Sequence, residues 1–390
     1  MPRIAPLRLT HARCLMEGRM ADHALTIADG HIAEGSAPEV NLSDYLLLPG
    51  IIDLHGDGFE RHLTPRPSAP FDRVKALSSA AAELAVNGIT TAWFAQSWSW
   101  EGAHRSGAAA VALMEAIGRA RPALLPDLRM QLRLETHVTD EHPEVIAAVE
   151  THGVDFVVFN NHLPEAQDMA RNDPARLAQW AAQTRRSGAE MMAIVEAAAA
   201  QAPAVSAALA AIAERFARMG VRLGSHDDDS AETRAFYRDI GAPISEFPTT
   251  LDAARAARAA GDPVLMGAPN VVRGGSQSGN IAAEALIAEG LVDALMSDYY
   301  YPALAQAAFA LEARGMLDLP SAWALISAHP ARIMGMADRG HLGLGARADL
   351  VVVHPETHRV EMTLCAGRIA HLSGELARRV WASAPQAVAE

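Results

Sequence analysis

Between residues 46 and 297 the chain repeats one pattern: a short apolar run, a loop, then an amphipathic helical stretch. Eight such runs stand out, at 46–54 (LLLPGIIDL), 88–95 (GITTAWFA), 128–135 (LRMQLRLE), 154–161 (VDFVVFNN), 219–225, 241–246, 263–268 (PVLMGA) and 293–297. Short apolar runs bounded by turn residues suit strands covered on both faces. The intervening stretches read as helices, for example VKALSSAAAELAVNG at 74–88, with Gly88 past its end. Strand and helix alternating eight times predict an α/β fold, a closed (β/α)8 TIM barrel. The two ends of the chain have a different texture. Residues 24–35 (ALTIADGHIAEG) predict a hairpin with Asp29-Gly30 at the turn. Near the C-terminus a β-branched run at 350–353, a turn at Pro355–Glu356 and a further strand before Ala366-Gly367 show the same character. The expectation is a small β-sandwich domain built from both chain ends (1–49 plus 340–390), with the barrel (50–339) inserted between them.

Composition narrows the function. The chain has 390 residues, half of them hydrophobic, which suffices for a large single core. The formal net charge of −13 argues against nucleic acid or an anionic membrane as a partner. An anionic substrate would need a few placed cations to hold it. Cys14 and Cys365 make no disulfide framework and suit a reducing compartment. The N-terminus lacks a signal-peptide core, and no run reaches the roughly 18 uninterrupted apolar residues of a membrane span. The Ala-rich stretch at 189–219 is broken by Glu196, Gln201, Pro203, Glu214 and Arg215. A cytoplasmic enzyme of small molecules is expected, with no membrane partner; the oligomeric state stays open, a homo-oligomer included.

The chemistry lies where the apolar runs end. The first ends in Asp53-Leu54-His55-Gly56-Asp57, the third in Glu135 and the fourth in Asn160-Asn161-His162. The fifth ends in Ser225-His226-Asp227-Asp228-Asp229 and the eighth in Ser297-Asp298. In a barrel all strand C-termini meet at one face, which carries the active site. Each residue alone has a bland explanation: a chance His-x-Asp, a salt-bridged Glu, a hydrogen-bonded His, a helix-capping Asp. Strand alternation puts His55 and Asp57 on one side, as a chelate requires. The conjunction points to a metal centre of His55, Asp57, Glu135, His162, His226 and Asp298. Imidazole and carboxylate donors suit zinc, alternatively manganese or iron, and the number of donors suits two ions. Such ions lower the pKa of water to about 7, and Asp298 would serve as general base. Asp228 is the first candidate to fix the tautomer of His226 from outside the ligand shell. At least two of Asp227, Asp228 and Asp229 are expected to be loop or capping residues.

Two loops add cations. Residues 59–67 (FERHLTPRP) hold Arg61 and Arg66 on a proline-stiffened loop after the first strand. After the seventh strand, Arg273 precedes Gly274-Gly275, where backbone N–H groups can turn toward an anion. Barrels often bind phosphate on the loops after strands seven and eight; the bland reading is a turn with a surface arginine.

These motifs resemble a known family. LLLPGIIDLH with GITT, and later RGHLGLGARADLVV, are similar to the amidohydrolase superfamily of metal-dependent hydrolases. DLHGDGFERHLTPRP (53–67), RLE (133–135), GSHDDDS (224–230), ISEFPTT (244–250), VLMGAPNVVRGGSQSGN (264–280) and SDYY (297–300) resemble the α-D-ribose 1-methylphosphonate 5-triphosphate diphosphatases of phosphonate catabolism nearly end to end. The resemblance implies hydrolysis of a ribose 5-triphosphate with release of pyrophosphate. It makes His55, Asp57, Glu135, His162 and His226 ligands, Asp298 ligand and base, and Arg66 and Arg273 triphosphate contacts. The chain departs from the family pattern in four places. Gly56-Asp57-Gly58 stands for Thr-Asp-Asn, and Leu163-Pro164-Glu165-Ala166 replaces a Ser/Thr-Pro-Gly-Gln stretch. Gln277 replaces a His. His162 and His226 fall on strands four and five, where the superfamily usually uses five and six. An added Glu165 would repel a triphosphate. A second function therefore competes, cleavage of a C–N bond by a deacetylase, cyclic amidase or deaminase. A third, a metal-loaded binding protein without turnover, is disfavoured by the presence of Asp298.

Overall fold

The computed structural model describes residues 6–66, 69–184, 186–276 and 279–383. The strands, in chain order, are β1 (Leu7–Met16), β2 (Arg19–Ala28), β3 (His31–Ala33), β4 (Glu39–Asn41), β5 (Leu46–Pro49), β6 (Ile51–Gly56), β7 (Ile89–Trp98) and β8 (Asp127–Glu135). Then come β9 (Phe156–Asn160), β10 (Arg222–His226), β11 (Ile244–Glu246), β12 (Val264–Gly267), β13 (Ala294–Met296), β14 (Leu350–Val353), β15 (Val360–Cys365) and β16 (Arg368–Leu372).

They form two sheets. One runs β16-β15-β14-β5-β1-β2-β3, with β4 beside β1, and mixes parallel and antiparallel pairs. It is the small β domain expected from the two chain ends. Its core gathers Leu9, Cys14, Ile27, Leu47, Val352 and Met362. The Asp29-Gly30 turn is present, and both residues have positive φ (52° and 86°), as a two-residue hairpin with matching twist requires. Both cysteines are free and buried, and burial pushes the Cys14 thiol up to about 11.

The second sheet runs β6 to β13 in sequence order, the eight parallel strands of a (β/α)8 barrel. A parallel bridge between Gly56 and Asp298 joins its first and last strands. The strands are almost wholly buried, as their unbroken apolar sequences foretold. The predicted run 46–54 divides at Gly50. β5 enters the small sheet and β6 the barrel, and at the break the chain passes so close to Thr90 that any Cβ at position 50 would collide with it.

By packing, the chain separates into two compact units. One comprises Met1–Trp93, Arg119–Arg129 and Met266–Glu390; the other comprises Phe94–Gly118 and Met130–Leu265. The second unit holds an element the sequence pattern did not reveal. Helices Leu163–Asn172, Pro174–Gln183 and Gly188–Ala200 precede Ala202–Arg218 between β9 and β10. They have their own core of Leu163, Met169, Leu177, Met191 and Val195, with Trp100 and Trp180 packed against it. Among the described residues no single helix is long and apolar enough to cross a membrane; the Ala-rich pair Gly188–Ala200 and Ala202–Arg218 is bent by 66°.

Candidate metal centre

In the first unit the donors come from β6 and from the residues after β13. Backbone bonds from Asp57 N to Asp298 O (2.9 Å) and from Asp298 N to His55 O (3.0 Å) stitch the two strand ends together. The result places ligand atoms of His55, Asp57 and Asp298 within 4.8 Å of one another. Asp298 sits at φ 55°, a left-handed conformation costly for a residue with a Cβ and frequent at working sites. Asp53, which alternation puts on the same side of β6 as His55, braces the join. It accepts from Ser297 N (3.0 Å), Ser297 Oγ (2.5 Å) and His55 N (3.4 Å), and burial pushes its carboxyl up. Gly56 is obligatory here. A Cβ would lie 2.8 Å from Asp53 Oδ2 and 2.9 Å from both Ser297 Oγ and the Tyr301 ring.

In the second unit, β8 ends at Glu135 and β9 delivers His162 two residues past its end. The His162 amide donates to Glu135 Oε2 (3.2 Å), while His162 Nδ1 and Glu135 Oε1 stand 2.5 Å apart without hydrogen-bond geometry. Glu101, three residues beyond β7, completes a second three-residue donor group with them. Burial opposes a charge on His162, but Glu101 and Glu135 overcome it and lift the imidazole to about 9. Burial likewise opposes ionisation of Glu101, yet His162 and Arg105 hold it at about 2. A buried set of imidazole and carboxylate donors, two of whose atoms lack hydrogen bonds, fits a divalent cation.

His226 ends β10. Its Nδ1 meets Glu246 Oε2 at 2.7 Å, and its Nε2 meets Arg133 Nη2 at 3.0 Å. Gln131 Nε2 donates to the other oxygen of Glu246 (2.6 Å). Burial pulls the His226 imidazole below its ordinary value, and the Glu246 carboxylate at Nδ1 is an acceptor for a proton on that nitrogen. Here the expectation for Asp228 is corrected: the carboxylate on His226 Nδ1 is Glu246. Asp227 takes a left-handed conformation (φ 59°), and the chain turns. Asp228 accepts instead from Ser225 Oγ (2.7 Å), Ser245 Oγ (3.0 Å) and Arg234 Nη1 (3.0 Å). Asp229 precedes Ser230, the N-cap of helix Ala231–Asp239, and accepts from Thr233 Oγ1 (2.7 Å).

Arg273 closes the short helix Ala268–Arg273 and donates to the Tyr299 hydroxyl (3.3 Å), next in sequence to Asp298. Arg66 lies exposed on its loop, where its carbonyl accepts from Ala69 N (3.0 Å). Gln277 lies outside the described residues. Glu165, the feared repulsive charge, is paired with Arg176 at 2.9 Å on the surface. Glu246 and Glu101 are the residues sequence reasoning missed. Glu246 carries the signal used elsewhere, a carboxylate closing an apolar strand; Glu101 carries none.

The amidohydrolase family matches residues 57–371. The chain belongs to the amidohydrolase family. It is 32% identical over 369 residues to the α-D-ribose 1-methylphosphonate 5-triphosphate diphosphatase of Escherichia coli (strain K12), covering 91% of this chain and 97% of the relative. Among solved structures, a putative prolidase from Bifidobacterium longum superposes with a TM-score of 0.64 at 16% identity, over 98% of this chain and all of the other. The N-acetylglucosamine-6-phosphate deacetylase from Pasteurella multocida gives 0.61 at 10% identity, over 94% and 99%. At these identities the two structures speak for the fold alone. This amidohydrolase is therefore a hydrolase of a metal-dependent superfamily, and its His162 and His226 do follow the fourth and fifth barrel strands.

Proposed function

We propose that this amidohydrolase cleaves α-D-ribose 1-methylphosphonate 5-triphosphate, leaving a 5-phosphate and releasing pyrophosphate. The observation that carries the reading is the similarity to the E. coli diphosphatase, which spans 97% of that enzyme. In this reading His55, Asp57 and Asp298 hold one divalent ion, and Glu135, His162 and His226 hold a second. The ions are zinc, alternatively manganese or iron. Once bound, they supply a water of lowered pKa and polarise a phosphoryl oxygen.

The chain does the rest. Asp298 takes the proton of the attacking water on its carboxylate. Glu246 holds Nδ1 of His226 and so turns Nε2, which Arg133 Nη2 meets at 3.0 Å, to the ligand side, where an ion would replace that contact. Arg273, tethered to Tyr299 beside Asp298, and Arg66 on its proline loop contact the triphosphate. Glu165, one of the changes that gave weight to a C–N substrate, is paired with Arg176 on the surface, which offsets its charge. The test is to load the protein with Zn²⁺ or Mn²⁺, offer the ribose triphosphate beside nucleoside triphosphates, and measure pyrophosphate. Metal-dependent release that disappears in Asp298→Asn is expected. No release from metal-loaded protein would remove the diphosphatase reading and direct the search to amides and amines.

A further inference from the structure

Glu101 has no place in the reaction above, yet it is among the most tightly held carboxylates in the molecule. It is fully buried. Arg105 Nη1 reaches both of its oxygens (3.0 and 2.9 Å), Trp180 Nε1 donates to Oε2 (2.8 Å) and Ser99 Oγ to Oε1 (3.3 Å). Its Oε1 faces His162 Nδ1 at 3.5 Å. Although it stands in the donor group, these donors already occupy both of its oxygens, so an ion there would compete with its arginine. Glu135, by contrast, keeps Oε1 free of hydrogen bonds.

An imidazole nitrogen either carries a proton or offers a lone pair, to a donor or to a cation, and His162 Nε2 meets the Asn160 amide Nδ2 at 3.4 Å, as a lone pair there would. His162 Nδ1 is the nitrogen turned toward both carboxylates. When Glu135 Oε1 is engaged by an ion, the Nδ1 proton needs another acceptor, and Glu101 Oε1 is the one held in place. We infer that Glu101 is a positioning residue: it fixes the Nδ1–H tautomer of His162 and thereby presents Nε2 as the ligand atom. The same device stands at His226, whose Nδ1 is held by Glu246 at 2.7 Å. Glu101 is also where the helical insert is fastened. Trp180 comes from helix Pro174–Gln183, and Arg186 just beyond it donates to the Glu101 carbonyl. The seating of the insert therefore bears on a ligand through one carboxylate.

This inference rests on the metal reading of His162, and the experiment separates the two. The full-length protein, labelled with ¹⁵N in its histidines, is titrated with Zn²⁺ alone, and the His162 signals are assigned with His162→Asn. The expected result is a protonated Nδ1 and a zinc-shifted Nε2. Glu101→Gln should release zinc to a chelator about tenfold faster or more, with Trp180→Phe, which deletes one donor and keeps the carboxylate, shifted in the same direction. Zinc on Nδ1 would overturn the inference and leave the metal site intact, as would unchanged release from both variants. His162 signals indifferent to zinc would remove the metal reading, and this inference with it. The wild-type tautomer decides the matter even if Glu101→Gln fails to fold.

Discussion

Arg234→Met should cost this protein more stability than most single changes, and by an amount that depends on pH. Arg234 is 1% exposed and Asp228 fully buried, 3.0 Å apart. The guanidinium also donates to Ser225 Oγ (2.7 Å), to the Ala242 carbonyl and to Ile244 O (3.4 Å), and its Nε lies 3.7 Å from Asp262 Oδ2. Methionine restores much of the buried volume but none of the charge. Breaking one side of a buried pair costs about 3–5 kcal/mol, because the remaining charge is stranded. Asp228 can escape part of that by taking a proton, since burial already pushes its carboxyl above the ordinary value against the pull of Arg234. We therefore expect about 3 kcal/mol at pH 8, which for a compact unit of this size is a Tm loss of roughly 6–12 °C. The sign of the pH effect is fixed. A carboxyl raised on folding adds stability below its unfolded pKa, and that contribution is lost as pH rises through the folded one. Deleting Arg234 raises the carboxyl further, so the deficit should shrink as pH falls from 8 to 5. Arg215→Met, which removes the exposed pair with Glu150 (3.5 Å), is the control and should cost about 1 kcal/mol or less. Scanning calorimetry of the three proteins across pH gives the answer. A deficit under 1 kcal/mol at pH 8, or one of equal size at pH 5, would show that Asp228 is not the stranded charge.

Other changes test the site and its frame. Gly56→Ala drives a methyl into Asp53, Ser297 and Tyr301 at under 3 Å; overpacking of this kind costs about 1–3 kcal/mol, and a thermal scan with zinc analysis should show lower stability and less bound metal. Chelator treatment should lower Tm, and zinc at a hundred times its Kd should restore about 2.7 kcal/mol; His55→Ala and Asp298→Asn should lose part of that gain, and a Tm indifferent to zinc in the wild type would contradict the centre. Glu361 is buried, and although burial opposes its charge, Arg359, Tyr45 and the Leu376 amide hold it below its ordinary value. Its contribution is present above the unfolded carboxyl pKa and lost as pH falls through the folded one, so the protection factors of amides in β15 and β16, taken against the intrinsic exchange rate at each pH, should fall toward pH 4 in the wild type and less so in Glu361→Gln.

The barrel and most candidate donors were legible because one physical rule generates both: a strand covered on two faces must be largely apolar, so the polar residues gathered at its end announce the rim. His55, Glu135, His162, His226 and Asp298 all obey that rule, and so does Glu246, which closes ISE at 244–246 and needed only the same inference. The rule reaches no further than strand geometry. It misassigned Asp228 because two-residue alternation ends at Asp227, whose left-handed backbone turns the next carboxylate toward Arg234. It could not find Glu101, which lies in the irregular WSWEGAHR segment and draws its meaning from Arg105, His162 and Trp180, partners separated by up to 79 positions. Nor could it explain why Gly56 and Gly58 replace larger residues, since the Tyr301 ring that fills their space, with carbons 2.9 and 3.2 Å from where their Cβ atoms would stand, comes from the segment after the last barrel strand, remote in sequence. Ligands that ride on strands can thus be read from local pattern, while the groups that aim them are fixed by long-range packing. The segments expected to bear on substrate choice belong to the second class: Gly56–Gly58 lie against Tyr301, and Leu163–Ala166 open the first helix of the insert, placements that only the fold reveals.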